Sequence, residues 1–316
     1  AQDMKTIKSE IDKLTKEYEE LKKNGTTKVE SITIKEGVAQ NVTVGKTLQL
    51  HAELKPDSLL NTQVKWTTSS SRIATVSKDG LVTGKKTGIA TITATSLQNT
   101  KKKAEIKINV KSIEIDKNAQ VSYYSFEDDV NDEWGNRNGT NNGAKFLGGK
   151  EGKAIEIKKG NTVSFEENKN LNQDWTIGYW VYDEGKKADR SSVLTSKEGE
   201  RSLDNRIATD NLKAGVHVSK DKGGVLTFKY DTPSKQWVHL TWTNDKNKGL
   251  SLYANGKLIE TNNWTVNKDF YAPIEVIGGE GFEGKVDDLK VYNRALTPEE
   301  VKESFKTKGL NLSATD

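Results

Sequence analysis

The stretch WTTSSSRIATVSKDGLVTGKKTGIATITATS, Trp66 to Ser96, decides the fold of the first half of the chain. A Trp closes a short strand, a Ser/Thr-rich turn follows, and Ile73, Ala74 and Val76 make a second strand. Asp79-Gly80 then sets a tight turn, a pair suited to the positive φ that a hairpin needs. Beyond it, Ile89, Ala90, Ile92 and Ala94 lie in a segment of alternating small and β-branched residues. Alternation at period two marks strands that bury one face and solvate the other. Lys101 to Lys103 fall where a hairpin tip is expected and read as a solvated turn.

Upstream, VESITI (Val29 to Ile34) and VGKTLQLHAELKP (Val44 to Pro56) add further short strands. Together these motifs make residues 27–111 resemble the bacterial immunoglobulin-like group 2 family. That resemblance implies a spacer or display module on an extracellular surface and points away from cytosolic enzymology. Before it, residues 3–23 read as a helix in which Met4, Ile7, Ile11, Leu14, Tyr18 and Leu21 alternate spacings of three and four. Those are the a and d positions of a coiled coil, and Asn24-Gly25 closes the helix as a C-cap does. So narrow a seam over three heptads is too short to stand alone, so self-association is expected. Mixed Ile, Leu and Tyr do not set the strand number. A trimer is expected from the resemblance of the layout to phage fibres and stalks.

A connection at 112–120 leads to a third region, 121–308, and a tail at 309–316. WTIGYWVY (Trp175 to Tyr182) alternates and precedes a long polar loop. WVHLTW (Trp237 to Trp242) and LSLYANGKLIE (Leu250 to Glu260) pair, the latter turning at Asn255-Gly256. KVDDLKVYN (Lys285 to Asn293) is the last strand, and Thr297-Pro298-Glu299-Glu300 starts a short helix that ends near Lys308-Gly309. SFEDDVNDEWGNRNG, GKAIEI (Gly152 to Ile157), WTIGYWV, WVHLTWTNDKNKGLSLYANGKLI and GKVDDLKVYNRALTPEEV, in that order, resemble the laminin-G-like, concanavalin-A-like jelly rolls. The fold class is therefore mainly β: an N-terminal coiled-coil helix, an Ig-like β-sandwich, then a concanavalin-A-like jelly roll. This superfamily hosts lectins, glycan-binding modules, hydrolases and structural domains, so the ligand has to be argued from the site.

Composition narrows the function. The chain of 316 residues has 33% hydrophobic and 30% charged residues, and its net charge of +4 is spread along its length. No element concentrates positive charge as a nucleic-acid binder does. The absence of Cys excludes disulfides, Cys-ligated metals and thiol nucleophiles. No run of about 18 apolar residues exists to cross a membrane as a helix. The chain opens Ala-Gln-Asp with neither an initiator Met nor a signal peptide, and lacks a Leu-Pro-x-Thr-Gly sorting motif, so a processed product or fragment is expected.

Three chemistries are open to such a fold. Asp287 shares parity with Leu289 and Val291, and a buried carboxylate is costly unless paired or metal-bound. The acidic loop carrying Glu127 and Asp132, with Asn136, supplies the hard oxygens Ca2+ takes. In these jelly rolls the first and last strands are neighbours, and the resemblance implies a structural Ca2+ at Asp132 and Asp287, with Glu127 and Asn136 assisting. The alternative is that Asp287 accepts backbone hydrogen bonds. For catalysis, His51, His217 and His239 each sit alone in a strand-like stretch, and His239 reads as a packed strand residue. The paired-carboxylate arrangement of concanavalin-A-like glycosidases is missing, Glu280 and Glu283 being the nearest. A Gly-x-Ser-x-Gly elbow is missing too. No enzyme is expected.

Glycan recognition needs exposed aromatic platforms beside hydrogen-bonding side chains. Trp180, Trp237 and Trp242 lie in strands and read as core. Trp134, Trp264, Phe270 and Tyr271 stand in polar company, and ADRSSVLTSKEGERSLDNRIATDN carries Arg190, Arg201 and Arg206. Loops on a rigid sandwich are where binding residues sit. The expected ligand-binding set is Trp134, Trp264, Tyr271, Arg190 and Arg206. The layout is then a stalk, a spacer and a lectin-like tip binding cell-surface polysaccharide, with no nucleic acid and no membrane insertion. A phage virion fibre or decoration protein is the first reading. A bacterial surface adhesin and a purely structural virion module are the alternatives, all placing the chain on a virion or outside the cell.

Overall fold

A computed structural model describes residues 2–24, 28–166, 171, 173–185, 190–196, 203–209, 211–218, 224–263, 272–279 and 281–306. The chain divides into two compact units, Ala1–Ile113 and Glu114–Asp316. Residues 114–119, expected as linker, therefore begin the second unit. Ala119 is buried and Ile115 packs against the small cluster of Tyr253, Tyr292, Leu296 and Val301. Asp116 caps the 3-10 turn Lys117–Ala119, and Asn293 donates to the Asn118 carbonyl at 2.9 Å.

In the first unit, helix α1 runs Gln2–Asn24, and β-strands make up the rest. Gly88–Ser96 pairs with Lys103–Lys111 and with Val64–Thr68, and Ala39–Thr43 joins in parallel. A second layer holds Thr47–Gln49, Leu81–Gly84 and Ala74–Val76. Ala90, Ile92 and Ala94 are fully buried with Ile106 and Ile108 of the next strand, as the period-two alternation requires. The Asp-Gly turn holds for two physical reasons. Gly80 has φ +84°, and a Cβ there would come within 2.7 Å of the Leu50 carbonyl and 3.0 Å of the Trp66 ring.

The second unit is a sandwich of two antiparallel sheets. One sheet of eight strands runs, in order, Lys145–Gly148, Lys153–Ile157, Gly284–Tyr292, Trp175–Asp183, Trp237–Asp245, Gly249–Ala254 and Lys257–Asn262, with Gln120–Tyr124 also on Gly284–Tyr292. The seven-stranded sheet runs Thr140–Asn142, Thr162–Ser164, Val276–Ile277, Ser191–Thr195, Leu203–Ala208, Gly215–Val218 and Gly224–Thr227. Their inner faces share one core that includes Tyr179, Val181, Leu240 and Trp242 from the first and Val163, Val193, Ile207 and Val216 from the second. The first and last strands are neighbours, as expected. Asn255 (φ 47°) and Gly256 (φ 75°) make the tight turn that their dipeptide predicts. Helix α2, Pro298–Ser304, is capped by Thr297 and Glu300 in a reciprocal box, and Phe305 already stands at its C-cap.

Two strand assignments differ from the sequence reading. The segment after Tyr182, read as a long polar loop, contains the strands Ser191–Thr195 and Leu203–Ala208. Its alternation was hidden because Asp204 and Arg206 occupy the outward positions, whereas Asn205 and Ile207 point inward. The strand tryptophans also divide. Trp242 is fully buried in the core, whereas Trp180 and Trp237 are half-buried on the outer face of the eight-stranded sheet.

Candidate functional site

The last strand, Gly284–Tyr292, carries an irregularity that inverts the expected facing of Asp287. Its pairing with Trp175–Asp183 slips between Gly178 and Trp180, and Asp288 takes φ 49°. A β-bulge inserts one residue and flips the parity beyond it. Asp287 therefore stands opposite Trp180 on the outer face, while Leu289 and Val291 turn into the core. There its Oδ2 accepts from the Lys150 amide at 2.9 Å. Glu127 Oε2 accepts from the Lys153 amide at 3.1 Å, so both carboxylates hold the tight turn around Gly149–Gly152. A Cβ on Gly149 would lie 2.6 Å from Asp287 Oδ2, which leaves no room for any larger residue.

Asp132 is organised differently. Its Oδ1 accepts from the amides of Tyr123 (3.0 Å), Trp134 (3.1 Å) and Gly135 (3.1 Å), and its Oδ2 from that of Arg137 (3.2 Å). Asn138 in turn accepts from the Asp132 amide at 2.9 Å, and Asn136 is exposed. The carboxylate thus folds the 132–138 loop through its main chain, as Asx-type turns do. The Lys153 ammonium sits on Asp128, placing a cation among these acids already. As folded, the Asp132 oxygens and one oxygen each of Asp287 and Glu127 accept amide protons, and among the described residues no three His, Cys, Asp or Glu side chains gather to hold a metal.

Trp134, expected as an exposed platform, packs between Tyr123 (centroids 5.5 Å apart) and Tyr292 (5.4 Å). It belongs to the satellite core below α2 rather than to a stacking surface. Arg201, Trp264, Phe270, Tyr271 and Glu280 lie outside the described residues. Arg190 is exposed in the turn before Ser191–Thr195.

Arg206 is brought into a cluster. It lies in Leu203–Ala208, opposite Ser192 on one neighbouring strand and Gly215 on the other. Asp204, two residues away on the same outward face, stands opposite Thr195 and His217. The Arg206 guanidinium donates to Asp204 Oδ2 at 3.2 Å, and His217 Nδ1 lies 3.7 Å from the same oxygen. Arg206 is 97% buried, whereas the side chains of Asp204 and His217 are 28% and 38% exposed. Beside them, Ser192 Oγ and Arg206 Nε are buried without a hydrogen-bond partner among the described residues. Gly279 packs at the rim, where a Cβ would press on Ser192 and Thr195 at 2.7 and 2.8 Å. This outward polar patch sets two partly exposed groups, Asp204 and His217, beside two buried atoms that have no hydrogen-bond partner among the described residues. Buried polar groups are almost always satisfied, which makes this cluster a candidate site. Sequence reasoning reached Arg206 but missed Asp204, His217 and Ser192, because only strand register brings them together.

The histidine of WVHLTW is a packed strand residue, as its place in the sequence predicts. His239 is buried, and burial together with the nearby Lys290 charge pushes its pKa down to about 3. Its Nδ1 meets Thr241 Oγ1 at 3.2 Å, and its ring packs on Trp180 and Phe305.

Comparison with known proteins agrees with this fold. The chain is 42% identical over 67 residues to a 3-O-alpha-D-galactosyl-alpha-L-arabinofuranosidase of Bifidobacterium longum subsp. longum, a match spanning 21% of this chain and 6% of that enzyme. Among solved structures, domain 4 of AbnA, a GH43 extracellular arabinanase from Geobacillus stearothermophilus in complex with arabinotriose, has the same fold. It gives a TM-score of 0.51 at 21% identity, covering 59% of this chain and 98% of that one. The receptor-binding domain of botulinum neurotoxin C/D mosaic serotype is more distant, with a TM-score of 0.49 at 11% identity over 60% of this chain and 52% of that one. Residues 28–108 match the bacterial Ig-like domain (group 2) profile, and residues 158–302 match that of the concanavalin A-like lectin/glucanases superfamily. The chain thus joins a group 2 bacterial Ig-like domain to a domain of the concanavalin A-like lectin/glucanases superfamily.

Proposed function

We propose that this chain is a non-enzymatic attachment protein whose concanavalin-A-like domain binds polysaccharide on a cell surface. The Ig-like domain is the spacer, and α1 joins copies of the chain, three to a bundle. The observation that carries the reading is the outward patch of the seven-stranded sheet, where Asp204 and His217 are partly exposed beside the buried Ser192 Oγ and Arg206 Nε, which have no hydrogen-bond partner among the described residues. Sugar hydroxyls both donate and accept, so they suit a carboxylate, an imidazole and a buried guanidinium side by side. The AbnA domain, of the same fold, was solved with an oligosaccharide, which supports this ligand class. Several copies on one assembly raise avidity without any new contact. A virion fibre or decoration protein uses such a layout. A bacterial surface adhesin is the second reading, favoured by the bacterial source of the enzymes matched above.

The test is binding of the fluorescently labelled chain to a panel of Gram-positive cells before and after periodate oxidation. Binding that periodate abolishes, and that Arg206→Met or His217→Ala weakens, is the expected result. Binding that survives periodate, or no binding to any cell, overturns the glycan reading. Release of soluble sugar from the bound polysaccharide would overturn the non-enzymatic part.

A further inference from the structure

We propose that α1 associates with copies of itself in parallel and in register, its direction selected by the charges that flank its apolar seam. The proposal rests on the self-association stated above and adds its geometry. Five seam residues stand in solvent within their own chain: Met4 is 73% exposed, Ile7 52%, Ile11 56%, Leu14 61% and Tyr18 62%. A contiguous exposed apolar stripe on a polar helix marks an interaction face. The rest of α1 is charged or polar, so only this stripe is suited to being covered.

The register identifies the cover. With Met4, Ile11 and Tyr18 at a and Ile7, Leu14 and Leu21 at d, the g positions are Asp3, Glu10 and Glu17. The e positions are Lys8, Thr15 and Lys22. One flank is acidic up to the neutral Asn24 at its last position, and the other is basic or neutral. In a parallel bundle each g residue faces the e residue five places on in the next copy. Asp3 then meets Lys8, Glu10 meets Thr15 and Glu17 meets Lys22, with no like-charge contact. In an antiparallel bundle g faces g and e faces e. Acid then meets acid along one flank, and Lys meets Lys or Thr along the other. Like-charge juxtaposition is how such interfaces exclude a wrong arrangement. The single sequence is therefore complementary to itself in one direction only.

The chain has no cysteine, so one introduced thiol reports alone. Sedimentation equilibrium of the full chain is combined with oxidative cross-linking of Ile7→Cys and Tyr18→Cys. The expected result is an oligomer of the 35.1 kDa chain in which each variant cross-links to itself. Glu17→Lys and Lys22→Glu should each weaken association roughly fivefold, with affinity regained when the two variants are mixed. Cross-links formed only between Ile7→Cys and Tyr18→Cys, in an intact oligomer, would show antiparallel packing. That would overturn the direction while leaving self-association standing. A monomer at the highest soluble concentration would overturn both. An oligomer without cross-links in any mixture would place association elsewhere and likewise overturn the proposal.

Discussion

Lys290 offers the sharpest physical test of how the concanavalin-A-like domain is built. It is 97% buried on the outer face of the eight-stranded sheet, under α2. Its ammonium donates to the Ser304 carbonyl at 2.8 Å and lies 5.9 Å from the Tyr123 ring centroid. Burial pulls its pKa down from 10.5 to about 8, against the opposing attraction of Asp288. The lowered value means that between pH 8 and 10.5 the unfolded chain holds a proton that the folded chain has released. Stability must therefore rise with pH across that window. At 1.36 kcal/mol per pKa unit, the gain from pH 7 to 9.5 is on the order of 2 kcal/mol. The perturbation is Lys290→Met, which keeps an unbranched stem and removes the titrating group. Urea unfolding followed by Trp fluorescence reports this domain, because Trp66 alone of the seven Trp lies in the first unit. Tyr124, Tyr179 and Tyr292 have pKa values raised by burial, so they lose stability above about pH 10, but they do so equally in both proteins. The difference between wild type and variant should thus change by on the order of 2 kcal/mol over the range. A flat difference would refute the reasoning and mean that the amine reaches water beneath α2.

Replacing Asp132 by Ala removes the acceptor of three loop amides and the Tyr123 strand amide and should cost about 3 kcal/mol, read as a fall in denaturation midpoint. A chelator should leave the melting temperature of the wild type unchanged; a drop restored by added Ca2+ would contradict the donor-set argument. Glu300→Gln should destabilise by about 1 kcal/mol at neutral pH, since its amide keeps one acceptor oxygen for the Thr297 box but loses the charge and one of the paired bonds from Arg294 (2.7 and 2.8 Å). Burial raises the Glu300 pKa, but bonds from Arg294 and Thr297 outweigh it and bring it below 4.5, so this deficit should shrink as unfolding is measured further below pH 4.5. Arg206→Met should lower glycan affinity about tenfold while shifting stability by about 1 kcal/mol or less, because Asp204 stays partly in water. Equal affinity for wild type and variant by cell-binding titration would remove Arg206 from the site.

The sequence by itself determined what is local. Alternation with β-branched residues gives Gly88–Ser96 its buried face, and Asp79-Gly80 and Asn255-Gly256 set their turns through positive φ. Thr297 and Glu300 start α2, and the heptads of α1 place its apolar seam, because each of these depends on neighbours a few residues apart. The identities and order of both domains followed from such motifs. The site did not, because its members meet through strand pairing. Ser192, Asp204, Arg206 and His217 come from three strands, and register alone puts them on one face. Asp287 shows the same limit from the other side. Strict alternation assigns it to the core, but the bulge at Asp288 turns it out onto the hairpin at Lys150. A one-residue slip exchanges the two faces of a strand, and only the pairing partner reveals where that slip occurs.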